Sequence, residues 1–492
     1  MIVSHKHKFI FFKTRKTAGS SLQVALADHC GPEDIITGQY RLGVDDNSHS
    51  AGLNMDKFFT THPHPELRQV RAFLGEDIWN SYFKFAFVRN PYDIAVSRYH
   101  WNRKGKEGNN ITSVDDFRKW VSSGNLFDKD QANLYIAENN SVNLDFIGYY
   151  ENLEEDLNLL SSLLKFPKLN LPSLKGGFRS SSKYKSFYDD KTKKIVKDYY
   201  RKDFNLLGYK FDEKYILKRT NIITEESFSF ENDNIGTPCI LSVDGKLLLY
   251  FSNHEGTAIK VAVGDTLQGP WTIKNVLSIE DTPCGNHIAS PEVILEDGIY
   301  KMFYHGNIEG KQGTFLAHST DGLSFKNVSK EMLCNFYLKV FRYKNKTYGI
   351  AKNGNEDSIF YDVDNNFEPI FNFLPKSRHC HGLVKGDILY LTYSLMESIP
   401  EHIRLCRLRL DADPNNWTVL SDEQLIFPTF RYEGAHLPSV KSMPGSATRR
   451  FKEPVRELRD PYLFEFNNKF FILYVTKGER AIAYAQLINY IE

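Results

Sequence analysis

Phe11-Phe12-Lys13-Thr14-Arg15-Lys16-Thr17-Ala18-Gly19-Ser20-Ser21-Leu22 reads as the end of an apolar strand, a short basic and hydroxyl-rich turn, and the opening of a helix. That order suits an anion site. The first N–H groups of a helix have no partner inside it, small residues at Ala18 and Gly19 let an anion reach the backbone, and Lys16 adds a point charge. The expected phosphate cradle is therefore Arg15, Lys16, Thr17, Ala18, Gly19, Ser20 and Ser21. A Walker A loop sets its lysine after the second glycine of GxxxxGKS/T, whereas Lys16 precedes the only glycine here. This argues against an ATPase or a nucleotide kinase.

About seventy residues on, Phe85-Ala86-Phe87-Val88-Arg89-Asn90-Pro91-Tyr92-Asp93-Ile94-Ala95-Val96-Ser97 again runs from an apolar strand through a proline turn into a helix. Together the two segments resemble the cofactor signatures of sulfotransferases that use 3′-phosphoadenosine 5′-phosphosulfate (PAPS). The family's KTAGTS loop, which grips the 5′-phosphosulfate, corresponds to Lys16 through Ser21. Its FVRNPYDRxVS segment, whose Arg and Ser grip the 3′-phosphate, corresponds to Phe87 through Ser97, with Arg89 and Ser97 in those roles and Ile94 at the usual Arg. Asp145 to Asp156 is similar to the family's IGxxENLEED segment, and Tyr200 to Tyr209 to its DFxxLGY helix. The resemblance spans about residues 1–213 and is nearest to the branch that sulfates carbohydrates. It implies a P-loop-like α/β domain, PAPS as donor without a metal, a glycan or glycoconjugate hydroxyl as acceptor, and Lys16 on the leaving-group side. The carbohydrate branch commonly takes its base from a His or Glu between the two motifs, in an HAxxxE pattern. Thr60-Thr61-His62-Pro63-His64-Pro65-Glu66 occupies that place. His62 ranks first, and His64 and Glu66 stay open because the register is ambiguous. A neutral imidazole titrating near pH 6.5 suits the task.

At 492 residues the chain exceeds what one core usually serves, so two domains are expected, 1–220 and 221–492. The net charge of +1 hides a split of +7 over residues 1–220 and −6 over the remainder. A basic first half suits a polyanionic cofactor. Neither half carries a basic stripe interleaved with stacking aromatics, so no nucleic-acid partner is expected. The six cysteines lie far apart without a CxxC pair and read as free buried thiols. Phe9 to Phe12 is too short for a signal peptide, and no apolar run approaches 18 residues, so no transmembrane segment is expected. Eukaryotic carbohydrate sulfotransferases usually carry a membrane anchor; lacking one, this chain reads as a cytoplasmic bacterial or viral enzyme, or as one trimmed of its anchor. Oligomeric state is not legible.

Up to about residue 215, short apolar strands alternate with helical spacing over Val114–Val121, Leu153–Leu164 and Lys191–Leu207, an α/β pattern. From about Ser227 a different unit recurs, a polar turn followed by alternating aromatic and aliphatic residues. Its turns are Asp244-Gly245, Asp297-Gly298, Lys344-Asn345, Lys385-Gly386-Asp387 and Asn467-Asn468. Five hairpins at intervals of about 40 to 55 residues, with one longer gap, predict a five-bladed β-propeller. The gap is read as an insertion around Asp411 to Glu457. A β-sandwich, the alternative, need not repeat one hairpin five times.

The propeller segments look like family-43 glycoside hydrolases, whose blades begin with DP, APD and EGP motifs. Asp460 in Arg459-Asp460-Pro461, Glu433 in Glu433-Gly434 and Glu292 in Ser290-Pro291-Glu292 would be the acidic set, with Glu433 as the acid. The first blade departs from the pattern, since Gly236-Thr237-Pro238 carries no aspartate, and Glu292 stands at a usual Asp. Hydrolysis and glycan binding without turnover therefore both stay open. His287, His305 and His381 join the candidate site, and together with His379 they show no metal-ligand spacing. The basic run Lys441, Arg449, Arg450, Lys452, Arg456 and Arg459 is either a solvated loop or a clamp for an acidic glycan.

Overall fold

A computed structural model describes residues 1–37, 53–60, 62, 64–102, 113–124, 126, 142–172, 184–207, 209, 211, 216–223, 235–253, 256–354, 356–442, 453–488 and 490–491; for Asn205 and 216–223 it describes the backbone alone. The chain forms two compact units, Met1–Lys218 with Ile488–Tyr490, and Arg219–Leu487 with Ile491–Glu492. Among the described residues no helix is long and apolar enough to cross a membrane. All six cysteines are free, four of them buried and Cys30 and Cys334 partly so.

The first unit is built on a sheet of β1 (Ile2–Ser4), β2 (Phe9–Phe12), β3 (Ile35–Ile36), β4 (Phe83–Val88) and β5 (Phe146–Tyr149) in the order β3-β1-β2-β4-β5. Strands β2, β4 and β5 run parallel, and β1 pairs antiparallel with β2 and β3. The parallel strands are covered on both faces, so Phe9, Ile10, Phe11, Phe12, Phe85 and Phe87 are all buried and show no polar alternation. Helix α1 (Gly19–Ala27) follows β2, α2 (Leu67–Ser81) precedes β4, and α3 (Pro91–Asn102) follows β4. Both motif loops thus leave the carboxyl ends of neighbouring parallel strands, where open α/β sheets bind ligands. The glycine of the third motif is a packing requirement: a Cβ on Gly148 would lie 2.3 Å from the Phe87 ring.

Helices α4 (Val114–Ser122) and α5 (Leu153–Leu164) fall where the apolar period predicts them. The single helix expected over Lys191–Leu207 is instead two, α6 (Asp190–Tyr199) and α7 (Arg201–Leu207). Tyr200 leaves helical torsions at φ −101° and ψ 30°, and its side chain is buried at the break. A reciprocal pair of hydrogen bonds between Asp189 and Thr192 sets the start of α6.

The second unit is the propeller, with five four-stranded antiparallel sheets. The first four blades are β7–β10 (Gly236–Ser278), β11–β14 (Ile288–Asn327), β15–β18 (Lys339–Phe373) and β19–β22 (Ser377–Ile426). The fifth holds β23 (Leu458–Phe466), β24 (Lys469–Thr476) and β25 (Ala481–Ile488). Each of the five expected hairpins is the turn between a blade's first and second strands, and Asp244, Asp297, Lys344, Gly386 and Asn467 take the positive φ such turns need. The fifth blade is completed by β6 (Ile216–Ile223), which pairs beside β25 ahead of all the hairpins. The last blade thus takes its outermost strand from the chain that precedes the first blade, so the ring is closed by pairing of distant segments. One boundary is corrected: the stretch from Asp411 is not yet insertion, because β22 (Thr418–Ile426) is the fourth strand of blade four. The extra segment is 427–457.

Candidate functional site

In the first unit the cradle forms as the carboxyl end of β2 turns into α1. Lys16 and Ala18 both take left-handed torsions, φ 61° and 60°, on either side of buried Thr17. Alternating torsions of this kind turn successive N–H groups into a concave anion nest ahead of the free N–H groups of α1. Gly19 is needed sterically, since a Cβ there would stand 2.9 Å from Lys13 Cγ and 3.1 Å from the Thr14 carbonyl oxygen. Thr14 hydrogen-bonds through Oγ1 to Thr17 Oγ1 at 2.7 Å and donates to the Phe87 carbonyl, tying the loop to β4.

Arg89 is the junction of the two motifs. Its Nη1 donates to the Lys16 carbonyl at 2.9 Å, Nε donates to Asp93 at 2.7 Å, and its guanidinium lies 3.9 Å from the Tyr150 ring centroid. Lys16 Nζ lies 4.5 Å from the centroid of Trp101, one turn beyond half-buried Ser97 on α3. Both cations thus rest against aromatic faces, and Arg89 is in addition ion-paired with Asp93 at 2.6 Å. The sequence reading passed over Trp101 and Tyr150. Trp101 was within reach, because positions 97 and 101 share a helix face; Tyr150 was not, since its contact with Arg89 depends on β4 and β5 pairing. Glu151 of the third motif accepts the Asn90 N–H at 2.6 Å and the Tyr209 hydroxyl at 3.0 Å, so this motif supports the turn after β4. Burial raises the Glu151 carboxyl above its usual range, partly offset by the Asn90 N–H.

The three base candidates are placed differently. His62 is exposed, and its Nδ1 accepts the His64 N–H at 3.2 Å. Glu66 pairs with Arg68 at 2.9 Å on the surface. His64 is half-buried, and its Nδ1 is 2.5 Å from the Lys13 carbonyl oxygen. A carbonyl can only accept, so Nδ1 carries the proton and Nε2 is left as an acceptor. Burial pushes this imidazole down to about 3, partly offset by the bond to the Lys13 carbonyl, with smaller downward contributions from the Arg15 and Lys13 charges.

In the propeller, two rings of residues, one residue per blade in each, come from the start of every blade. Thr237, Ser290, Tyr337, His379 and Asp460 form the first, and all line a cleft of about 130 Å³. Two positions further along each chain segment, Cys239, Glu292, Lys339, His381 and Tyr462 form a second ring that is buried throughout. The spacing of two is the strand period. Four first-ring residues hold left-handed torsions, Thr237 at φ 51°, Ser290 at 51°, Tyr337 at 63° and Asp460 at 48°. The registers slip at Gly236/Cys239, Ala289/Glu292, Ser377/Cys380 and Arg459/Tyr462, so bulges aim these side chains into the cleft.

The acidic set is thereby dispersed. Asp460 lines the cleft, where Oδ2 accepts the Thr237 N–H at 2.8 Å and Oδ1 contacts His379 Nδ1. Burial would raise its carboxyl, but the His379 ring, the Thr237 N–H and Arg459 outweigh that and hold it at about 2. Glu292 belongs to the buried ring, ion-paired with Lys339 at 3.2 Å and 3.8 Å from His381 Nε2. His381 Nδ1 accepts the Leu463 N–H, its ring stacks 3.8 Å from Tyr462, and burial keeps it neutral. Glu433 is fully buried and does not line the cleft; its carboxylate accepts the Thr429 and Phe430 N–H groups at 2.8 and 3.0 Å and the Tyr474 hydroxyl at 2.9 Å. His287 lines the cleft, and His305 lies behind it, 4.8 Å from the rings of both His287 and Tyr337. The sequence reading missed Lys352 and Glu479 in the cleft wall, while Arg378, beside His379 in a candidate blade-start segment, lines it too. Of the basic run, Arg459 is buried against Glu457, Glu479 and Glu401, and Arg456 bonds the Pro428 carbonyl. Lys441 lies 3.9 Å from Glu397, while Arg449, Arg450 and Lys452 lie outside the described residues. Among the described residues no group of three or more His, Cys, Asp or Glu is placed to hold a metal ion.

Over 284 residues the chain is 28% identical to an uncharacterised protein of Acanthamoeba polyphaga mimivirus, covering 49% of this chain and 76% of that one. Over 101 residues it is 34% identical to an uncharacterised protein of Archaeoglobus fulgidus, covering 20% and 81%. Among solved structures it is similar to a thermostable family-43 glycoside hydrolase, at a TM-score of 0.37 and 17% identity over 52% of this chain and 88% of that one. A Coprinopsis cinerea family-62 α-L-arabinofuranosidase catalytic domain gives 0.41 and 11% over 56% and 98%. Residues 1–210 match the sulfotransferase family. The chain therefore opens with a sulfotransferase-family domain and continues into a five-bladed β-propeller.

Proposed function

We propose that the first domain transfers a sulfuryl group from PAPS to a carbohydrate hydroxyl, and that the propeller recognises the glycan. The observation that carries this reading is the Arg89 hydrogen bond to the Lys16 carbonyl, which joins two anion-binding segments 73 positions apart in one site. The residues fit a nucleotide with phosphates at both ends. Lys16 and the N–H groups of Thr17 to Ser21 would take the 5′ side, and Arg89 with Ser97 the 3′ side. PAPS would supply the activated sulfuryl group and a stable bisphosphate leaving group. Lys16 would hold the charge that grows on the leaving side, with no reorganisation at the moment of reaction.

For the base, the geometry supports His64 over His62. His64 has a fixed tautomer with Nε2 free to take the acceptor's proton, and it sits beside the cradle through Lys13. A bound polyanion would offset the Arg15 and Lys13 charges and so raise the proton affinity of Nε2 at the time it is needed. His62 then positions the His64 backbone. In the propeller, Thr237 stands where a hydrolytic aspartate would, and Glu433 is held by three donors outside the cleft. These observations favour binding without hydrolysis.

The test is calorimetric titration of the full chain with 3′,5′-ADP in EDTA, beside Arg89→Ala. Metal-independent binding, weakened about tenfold or more in the variant, is expected from losing charge-assisted bonds. Absence of binding to the wild type would overturn the donor assignment.

A further inference from the structure

The propeller cleft contains a buried cation that has no ion-pair partner among the described residues. Lys352, on β16 (Lys346–Asn353), lines the cleft and is 4% exposed. Its ammonium donates to the Ser377 carbonyl at 2.5 Å, and among the described residues no carboxylate lies within ion-pairing distance. The neighbouring cations are spoken for: Arg378 pairs with Glu401 at 2.9 Å, and Arg459 with Glu457 and Glu479 at 2.7 and 2.8 Å. Asp357 and Glu401 act on Lys352 only at longer range, and burial lowers its ammonium to about 8. An ion left this way is costly unless something completes its shell. Lys352 offers two more N–H donors to a ligand in a cleft of about 130 Å³.

The wall beside Lys352, whose backbone N–H donates to the Phe336 carbonyl at 2.9 Å, has a different character. Tyr337 packs against His379 and His305 with ring centroids 4.4 and 4.8 Å apart, and His287 continues the line. Phe336 also lines the cleft. Beside this aromatic wall Asp460 presents an ionised carboxylate, an acceptor for hydroxyl groups. A ligand matching all three features has a flat apolar face, neighbouring hydroxyls and one negative group.

We propose that this cleft binds a sugar ring bearing a single anionic substituent, a carboxylate or a sulfate ester, with Lys352 receiving the anion, Asp460 the ring hydroxyls and Tyr337 the ring face. This rests on the reading of the propeller as the glycan-recognising half and names the class of glycan. It also fits the charge logic of the cleft, since a neutral sugar would leave the Lys352 ammonium unpaired.

The experiment is calorimetric titration of the full chain with glucuronate, glucose 6-sulfate and glucose, using wild type, Lys352→Met and Lys352→Arg. Thermal unfolding and 3′,5′-ADP binding check that each variant is folded. One or both anionic sugars are expected to bind about tenfold or more tighter than glucose, the scale of one charge-assisted contact. Lys352→Met should erase that preference and Lys352→Arg should retain part of it. Which anion binds tells the carboxylate source from the sulfate source. Glucose binding as tightly as both anions, or an anion preference that survives Lys352→Met, overturns the inference and leaves the glycan reading standing. No binding by any of the three overturns both, and neither result touches the 3′,5′-ADP test of the first domain.

Discussion

The proposed nucleotide cradle and the proposed propeller site would both receive anions, yet they are made in opposite ways. The cradle is one continuous stretch, Arg15 to Ser21, whose working atoms are largely backbone N–H groups shaped by left-handed torsions at Lys16 and Ala18. The cleft takes Thr237, Ser290, Tyr337, His379 and Asp460 from five blades, and its working atoms are side chains. The contrast teaches where information resides. A backbone site constrains residue size and torsion locally, so it leaves a motif; a side-chain site assembled from five strands leaves single residues whose meaning depends on register.

If the first domain works through local chemistry, the largest effect should come from one ring. His64→Ala should lower turnover about 10²- to 10⁴-fold with 3′,5′-ADP affinity retained, while His62→Ala has a much smaller effect. Steady-state rates and calorimetry check this, and the reverse ranking would return the base to His62. The propeller should instead be most sensitive at its buried ring. Glu292→Ala strands Lys339 without its 3.2 Å partner and should cost about 3–5 kcal/mol in urea unfolding. A cost below about 1 kcal/mol would mean that the ring is not what joins the blades. Smaller again is Gly148→Ala, which drives a methyl into the Phe87 ring and should destabilise the first unit by about 1–3 kcal/mol, read as a lowered thermal midpoint.

Acid should separate the two sites by window. His64 in the folded chain is held down to about 3, so the unfolded chain gains its proton first, near 6.5. Stability is full above that and declines as pH falls toward 3. Asp460 is held at about 2 against roughly 3.9 unfolded, so its contribution is full above about 4 and is lost as pH falls through 2. Denaturation midpoints from pH 7 to 5 should flatten in His64→Asn, and those from pH 4 to 2 in Asp460→Asn. An unchanged slope in either variant would show that its group is not held as described.

Much of the architecture was legible because turn chemistry is local. Asp244-Gly245, Asp297-Gly298 and Asn467-Asn468 demand positive φ, and each marks a blade's first hairpin. Closure by Ile216–Ile223 was not legible, since nothing in that strand says which partner, more than 250 residues away, it pairs with. Nor was the break at Tyr200, where the apolar period continues through a residue with non-helical torsions. In the candidate sites the cradle, Arg89 and the trio His62, His64 and Glu66 could be named from sequence, but choosing His64 required the Lys13 carbonyl across 51 residues. The sequence reading grouped Glu292, Glu433 and Asp460 as one acidic set with Glu433 as the acid; burial and donors place Glu292 and Glu433 elsewhere.

By itself, then, the sequence determined the two-part organisation, the α/β and all-β textures, and the position of the anion cradle, because torsion, turn type and helix-end polarity are short-range properties. Only the tertiary structure decided which carboxylates face the cleft, which histidine has a free nitrogen, and that Lys352 stands buried without an ion-pair partner among the described residues. Those are questions of distance and dielectric between residues far apart in the chain, and only the folded packing sets them.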